Sequence, residues 1–128
     1  MNRFVTLGLA MLAGVAIGAA AVSGLNAQGK PPGAYAVVDI SEITDQNTFG
    51  QILPKALPAS EAFGGKYIVR TSKMTALDGT PPQRFVVIAF DSVEKAKAWD
   101  SSPAQKEVND LRRKSTKSRV FIADGELK

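Results

Sequence analysis

Two residue types are missing from this chain of 128 residues: it has no cysteine and no histidine. Without cysteine there is no disulfide framework, thiolate nucleophile, iron–sulfur site or lipidated N-terminal cysteine. Without histidine the commonest general base and the commonest zinc ligand are gone. Ser-His-Asp and Cys-His mechanisms and a His-ligated haem are therefore excluded. Any chemistry falls to carboxylates, Lys, Tyr, Ser or Arg, or to a cofactor whose nature the sequence leaves unknown. A strong charge excess is also lacking. The formal charge of +4 falls by one if the segment carrying Arg3 is removed. That mild basicity favours solubility and weak attraction to anions, and it is well short of a nucleic-acid-binding signature.

What remains is ordinary for a globular protein, at 45% hydrophobic and 22% charged residues, so wholesale disorder is not expected. One segment stands apart. Met1-Asn2-Arg3 gives a short positive start, and Phe4 to Val22 is an uncharged run rich in Ala, Gly, Leu and Val. Small and polar residues follow through Ala27. This order is that of a secretory signal peptide, expected to be cleaved after Ala27, with cleavage after Ser23 as the variant. The alternative is an uncleaved inner-membrane anchor, because the run is about long enough to span a bilayer and Gly14 and Gly18 have helix-pairing spacing. No twin-Arg pair is present, which points to the general secretion route. The expected organisation is a signal peptide over 1–27, a linker over 28–33, one domain over 34–125 and a tail over 126–128. The domain is expected in the periplasm or outside the cell, or on the periplasmic side if anchored.

Within that domain, Ala34 to Ile40 (AYAVVDI) reads as a strand. Thr44 or Asp45 can cap a helix in which Phe49, Ile52, Leu53, Ala56, Leu57 and Phe63 follow helical spacing. Pro54 and Pro58 each remove a backbone donor, so this helix is expected to kink or split. Gly64-Gly65 ends it. Lys66 to Ser72 is a second strand that can continue after a bend to Leu77. Asp78-Gly79-Thr80-Pro81-Pro82 is turn chemistry, and Arg84 to Phe90 is a third strand. Asp91 and Glu94 can open a helix through Trp99. Ser102-Pro103 opens another, with Gln105 completing a Ser-x-x-Gln box and Ala104, Val108 and Leu111 on the inner face. Arg119 to Ala123 is the last strand. The order β-α-β-β-α-β is that of the ferredoxin-like α+β fold, a four-stranded antiparallel sheet with helices on one face.

Both registers of the strands are apolar. Phe85, Val87 and Ala89 alternate with Val86, Ile88 and Phe90, and Tyr35 and Val37 with Ala36, Val38 and Ile40. Helices cover one face, so the other needs a cover of its own. A second copy of the chain is the simplest, giving a homodimer through facing sheets. The alternative is a sheet shielded by its own long side chains.

These segments resemble the bacterial domain-of-unknown-function 1330 family over nearly all of residues 34 to 125. The resemblance rests on Gly64-Gly65-Lys66-Tyr67-Ile68-Val69-Arg70, on Arg84 to Phe90 and its continuation through Ala96, and on Ala98-Trp99, Ser102-Pro103 and Lys117-Ser118-Arg119 to Gly125. It implies a fold of the dimeric α+β barrel type, and no particular activity. Members often carry an aromatic where Asp100 stands here and a tyrosine where Gln105 stands. An aromatic-lined site at that helix is therefore not carried over.

Three residues are candidates for ligand binding. Arg70, on a strand beside Tyr67, Ile68 and Val69, needs a carboxylate partner or a bound anion if it is buried. Asp39 on the first strand is the candidate partner. Trp99 is either a core aromatic or a ligand platform. Tyr35 and Tyr67 can donate protons, with strand packing as the alternative. Arg112, Arg113, Lys114, Lys117 and Arg119 form a basic cluster that can bind phosphates or lipid heads, or can simply oppose a helix dipole. Asp45, Glu61, Asp78 and Asp91 stand at element ends and have no metal-ligand spacing. The readings left open are a binding domain for a small anionic or aromatic molecule, an enzyme of the dimeric α+β barrel type acting on a small organic acid or aromatic, and a non-catalytic envelope protein. No nucleic-acid partner is expected, and a membrane is a partner only if the N-terminal segment stays uncleaved.

Overall fold

A computed structural model of the protein describes residues 32–125. The expected signal segment, most of the linker and the C-terminal tail lie outside the described residues.

Four strands form one antiparallel sheet. They are β1 (Ala34–Ile43), β2 (Lys66–Thr71), β3 (Arg84–Phe90) and β4 (Thr116–Asp124), in spatial order β2-β3-β1-β4. Between β1 and β2 stand α1 (Gln46–Phe49) and α2 (Ile52–Glu61). Between β3 and β4 stand α3 (Val93–Ser101) and α4 (Pro103–Ser115). Chain order and strand order together define the ferredoxin-like α+β fold.

The first helical region splits, but not at a proline. The Asp45 carboxylate caps α1 by accepting from Thr48 N at 3.1 Å and Thr48 Oγ1 at 2.8 Å. The break falls at Gly50-Gln51, where Gln51 N turns back to Thr48 O. Pro54 lies in the first turn of α2, where an N–H has no intrahelical partner anyway. Pro58 alone is interior. The closing glycines have separate tasks. Gly64 takes φ 75°, the left-handed conformation that favours glycine. At Gly65 a Cβ would come within 2.8 Å of the Phe90 ring, so the bare backbone lets the end of α2 settle onto the core.

Other boundaries differ from the sequence expectation for local reasons. β2 stops at Thr71 and does not run on to Leu77, because Thr71 Oγ1 accepts from Lys73 N at 2.9 Å and turns the chain. The α3 cap is Ser92, whose Oγ accepts from Lys95 N at 3.1 Å, whereas Asp91 pairs with the Lys95 ammonium at 3.2 Å. Ser102 does cap α4, accepting from Gln105 N at 3.2 Å. The inner face of α4 is the expected one only in part, since Val108 is buried and Leu111 half-buried. Ala104 is exposed, while Gln105, Val108 and Asn109 are buried.

Register sorts the sheet into two faces. Ala34, Ala36, Val38 and Ile40 of β1 lie level with Phe90, Ile88, Val86 and Arg84 of β3, and these turn toward the helices. The core is Ala34, Ala36, Ile88, Phe90, Ala96 and Trp99. Three alanines in that cluster give α3 room to approach β1 closely enough to bury an indole. The other face carries Tyr35, Val37 and Asp39 of β1, level with Ala89, Val87 and Phe85 of β3 and with Ala123, Phe121 and Arg119 of β4. It is apolar at its centre, and no helix among the described residues lies over it. Phe121 keeps 46% of its surface exposed and Ile68, at a bulge in β2, keeps 53%.

Candidate functional site

The helices do not close fully over their face of the sheet. A cavity of about 650 Å³ lies between them and the strands. Val38, Val86, Ile88 and Val120, one from β1, two from β3 and one from β4, give it an apolar floor. Phe49, Leu53 and Ala56 from α1 and α2, and Val108 from α4, wall it. That is the size and lining of a small-molecule site.

Its charge is one-sided. Arg70, Lys73, Arg84 and Arg112 line the cavity, and no Asp or Glu does. Arg70 reaches it because β2 places Arg70 level with Val86, on the helix side. Arg70 is exposed and stands at the mouth. Arg84, level with Ile40, lies over the Phe49 ring at 5.8 Å from its centroid. Neither arginine has an ion-pair partner among the described residues. Tyr67 shares the cavity. Burial raises the pKa of its phenol, with Ser60 and the Arg70 charge opposing the shift, so the phenol is a hydrogen-bond donor at neutral pH.

The α4 wall carries a polar network. Asn109 Nδ2 donates to Asp100 Oδ1 at 3.1 Å, and Gln105 Nε2 donates to Asn109 Oδ1 at 3.1 Å. Arg112 donates through Nη1 to Ser118 Oγ at 2.8 Å. Burial, and then the adjacent Arg113, lower the pKa of Arg112, and Asp100 opposes the shift. It remains a cation, since arginine is not deprotonated in proteins. Asp100 and Gln105, the two positions where the chain departs from the pattern it resembles, are thus joined through Asn109.

Of the three sequence candidates, Arg70 and Trp99 line this cavity and Asp39 does not. The expected pairing of Arg70 with Asp39 is corrected. Asp39 is on the opposite face of the sheet and accepts from Arg119 Nη2 at 2.9 Å and Nε at 3.0 Å. Arg70 stands on β2, beyond β3, with its side chain on the helix side. Trp99 is 2% exposed and packs on Phe90, ring centroids 5.2 Å apart, so it is a core residue as well as a wall of the cavity. The basic cluster is largely compensated, with Arg113 on Asp110, Lys117 on Glu42 and Arg119 on Asp39. Among the described residues no group of three or more carboxylates is placed to hold a metal ion, and no helix is long and apolar enough to cross a membrane.

Sequence reasoning missed Arg84, Gln105 and Asn109 as cavity residues, and placed Arg112 only in the surface cluster. The signal was there. Gln105, Val108, Asn109 and Arg112 recur at the three-and-four spacing of one helix face, but periodicity read from apolar residues alone passes over three of the four.

A ferredoxin-like α+β sheet with a cationic, apolar-floored cavity under its helices is the class that fold and site define. The chain belongs to the family described as Domain of unknown function (DUF1330), whose model matches residues 33–126. Among solved structures it is similar to the RPA0582 protein of unknown function from Rhodopseudomonas palustris, at 14% identity and a TM-score of 0.62, over 84% of this chain and 92% of that one. It is also similar to SnoaB, a cofactor-independent oxygenase from Streptomyces nogalater, at 10% identity and a TM-score of 0.52, over 74% of this chain and 94% of that one. At these identities the likeness is one of fold. No curated protein matches the sequence.

Proposed function

We propose that this chain is a binding protein for a small organic anion with an apolar body, held in the cavity between sheet and helices. The observation that carries the reading is the lining itself, four cationic side chains and no carboxylate above an apolar floor. Arg84 is half-buried, and a half-buried cation calls for a counter-charge, while Arg70 stands exposed at the mouth; among the described residues neither has a carboxylate partner. A ligand carboxylate supplies the counter-charge, and the floor takes the hydrocarbon.

Binding ranks above catalysis because the cavity offers little to move a proton. Its one titratable group besides the cations is the Tyr67 phenol, which burial keeps protonated. We further propose a homodimer through the open sheet face, which the exposed Phe121, Ile68 and Val69 support, and export by the N-terminal segment, which the order of its sequence regions supports.

Native mass spectrometry of the protein isolated from its producing cell tests these readings together. The expected species is a dimer of chains beginning at Gln28 that retains an organic acid. A monomer carrying nothing contradicts both the dimer and the binding function, and a mass that includes residues 1–27 replaces the signal peptide by the anchor.

A further inference from the structure

We infer that the anionic head of the ligand carries two negative charges, and that it lies on the β2–β3 wall of the cavity, against the guanidinium groups of Arg70 and Arg84. The inference rests on the binding reading above and adds the charge and the place of the head. Its first ground is a bulge. Tyr67 and Arg70 are three residues apart, an odd spacing that puts side chains on opposite faces of a regular strand. Here the register shifts between Tyr67 and Val69, so Tyr67 lies level with Ile88 and Arg70 level with Val86. Both line the cavity. Paired regularly from Tyr67 onward, β2 would turn Arg70 to the open face. Bulges re-aim side chains in this way.

The second ground is the neighbour that Arg70 acquires. Arg84 precedes Val86 by two residues on β3, on the same face, and also lines the cavity. The two arginines are therefore diagonal neighbours on adjacent strands, a relation that sets residues about 7–8 Å apart. Like charges that close repel. Among the described residues neither arginine has an ion pair or a side-chain hydrogen bond to offset the repulsion. Arg84 is half-buried against the Phe49 ring, where water screens it less than it does a surface charge.

The other cations of the lining are placed differently. Arg112 on α4 already donates through Nη1 to Ser118 Oγ at 2.8 Å and through Nη2 to Asn109 Oδ1 at 3.5 Å. Lys73 is exposed. The unmatched donors are thus two planar forks side by side. One carboxylate satisfies one fork bidentately and leaves the other uncompensated. Two carboxylates on one carbon, or one phosphate monoester, compensate both. The Tyr67 phenol, which feels the Arg70 charge, is a further donor to either head.

Isothermal titration of the full chain with 3-phenylpropionate, benzylmalonate and benzyl phosphate tests the assignment, at about pH 8 where every carboxyl is ionised. Benzylmalonate is 3-phenylpropionate with a second carboxylate on the α-carbon, and benzyl phosphate puts a phosphate monoester on the same ring. At least one of these dianions is expected to bind roughly tenfold tighter than 3-phenylpropionate, and the tighter of the two names the head. Arg70→Gln and Arg84→Gln each leave a single fork, and each is expected to shrink the advantage to about threefold or less. Arg84→Lys keeps the charge and should retain most of it, and Arg119→Gln, on the open face, should retain all of it. Dianions that bind no tighter than 3-phenylpropionate overturn the second charge and leave the anion reading standing. An advantage that survives both glutamine substitutions in the cavity, or that Arg119→Gln also removes, overturns the placement. If none of the three binds, the inference and the binding reading fail together.

Discussion

The two faces of the sheet are made by alternate residues of the same four strands, and both are apolar, yet they treat charge in opposite ways. On the open face Arg119 is held by Asp39, at 2.9 Å. On the helix side Arg70 and Arg84 meet no carboxylate among the described residues. Compensated charge around an exposed apolar centre suits association with another protein surface, where an unpaired buried charge is costly. Uncompensated positive charge around an enclosed apolar floor suits a small anion. In the function proposed above, the difference gives the faces separate tasks, a partner on one and a ligand on the other.

Substitutions can break or sharpen this contrast. The largest effect is expected at Trp99, which both fills the core and walls the cavity. Trp99→Ala should cost about 3–5 kcal/mol, read from urea denaturation. A loss below about 1 kcal/mol would place the indole outside the core. On the open face, Val87→Asp should raise the dimer dissociation constant roughly thirtyfold or more while the monomer stays folded. Light scattering across a concentration series checks it, and a mutant dimer as tight as the wild type would remove this face from the interface. On the helix side, Arg70→Ala should weaken binding of 3-phenylpropionate by about ten- to a hundredfold and leave the unfolding midpoint in place, because the side chain is exposed and unpaired.

Smaller effects are expected where charge is already matched. Arg119→Ala removes a pair whose arginine is 75% exposed, so the monomer should lose less than about 1 kcal/mol. The acid sensitivity of α1 should be the mildest effect. Backbone and side-chain hydrogen bonds from Thr48 lower the pKa of Asp45. Its contribution is therefore present above the unfolded pKa and is lost as pH falls through the lower folded value. Asp45→Asn should keep the cap and flatten that acid limb of the stability curve.

The fold was legible because its signals are local. Runs such as Arg84 to Phe90 declare a strand by composition, Gly64-Gly65 and Asp78-Gly79 declare stops, and alternation through Val37 and Val87 exposes two apolar faces before any register is known. The site was legible only in part. Arg70 stands out as a cation on a strand, but its relation to Asp39 depends on which strands lie adjacent and which way each residue turns. β3 lies between β1 and β2, and Asp39 turns away from the helices. The network of Asp100, Gln105 and Asn109 depends on how α3 and α4 meet at Ser102, and apolar periodicity carries no trace of it. The first helix misled for a similar reason. Pro54 falls in the first turn of α2, where no backbone donor is needed, and Pro58 lies inside α2 without ending it.

The central claim is that the helix-side cavity recognises negative charge on an apolar body. Calorimetric titration of the full chain with 3-phenylpropionate and with its uncharged amide tests it most directly. The account predicts that the acid binds, that its affinity falls as salt is raised, and that the amide binds at least roughly tenfold more weakly. An amide that binds as tightly as the acid, or a chain that binds neither, would contradict it.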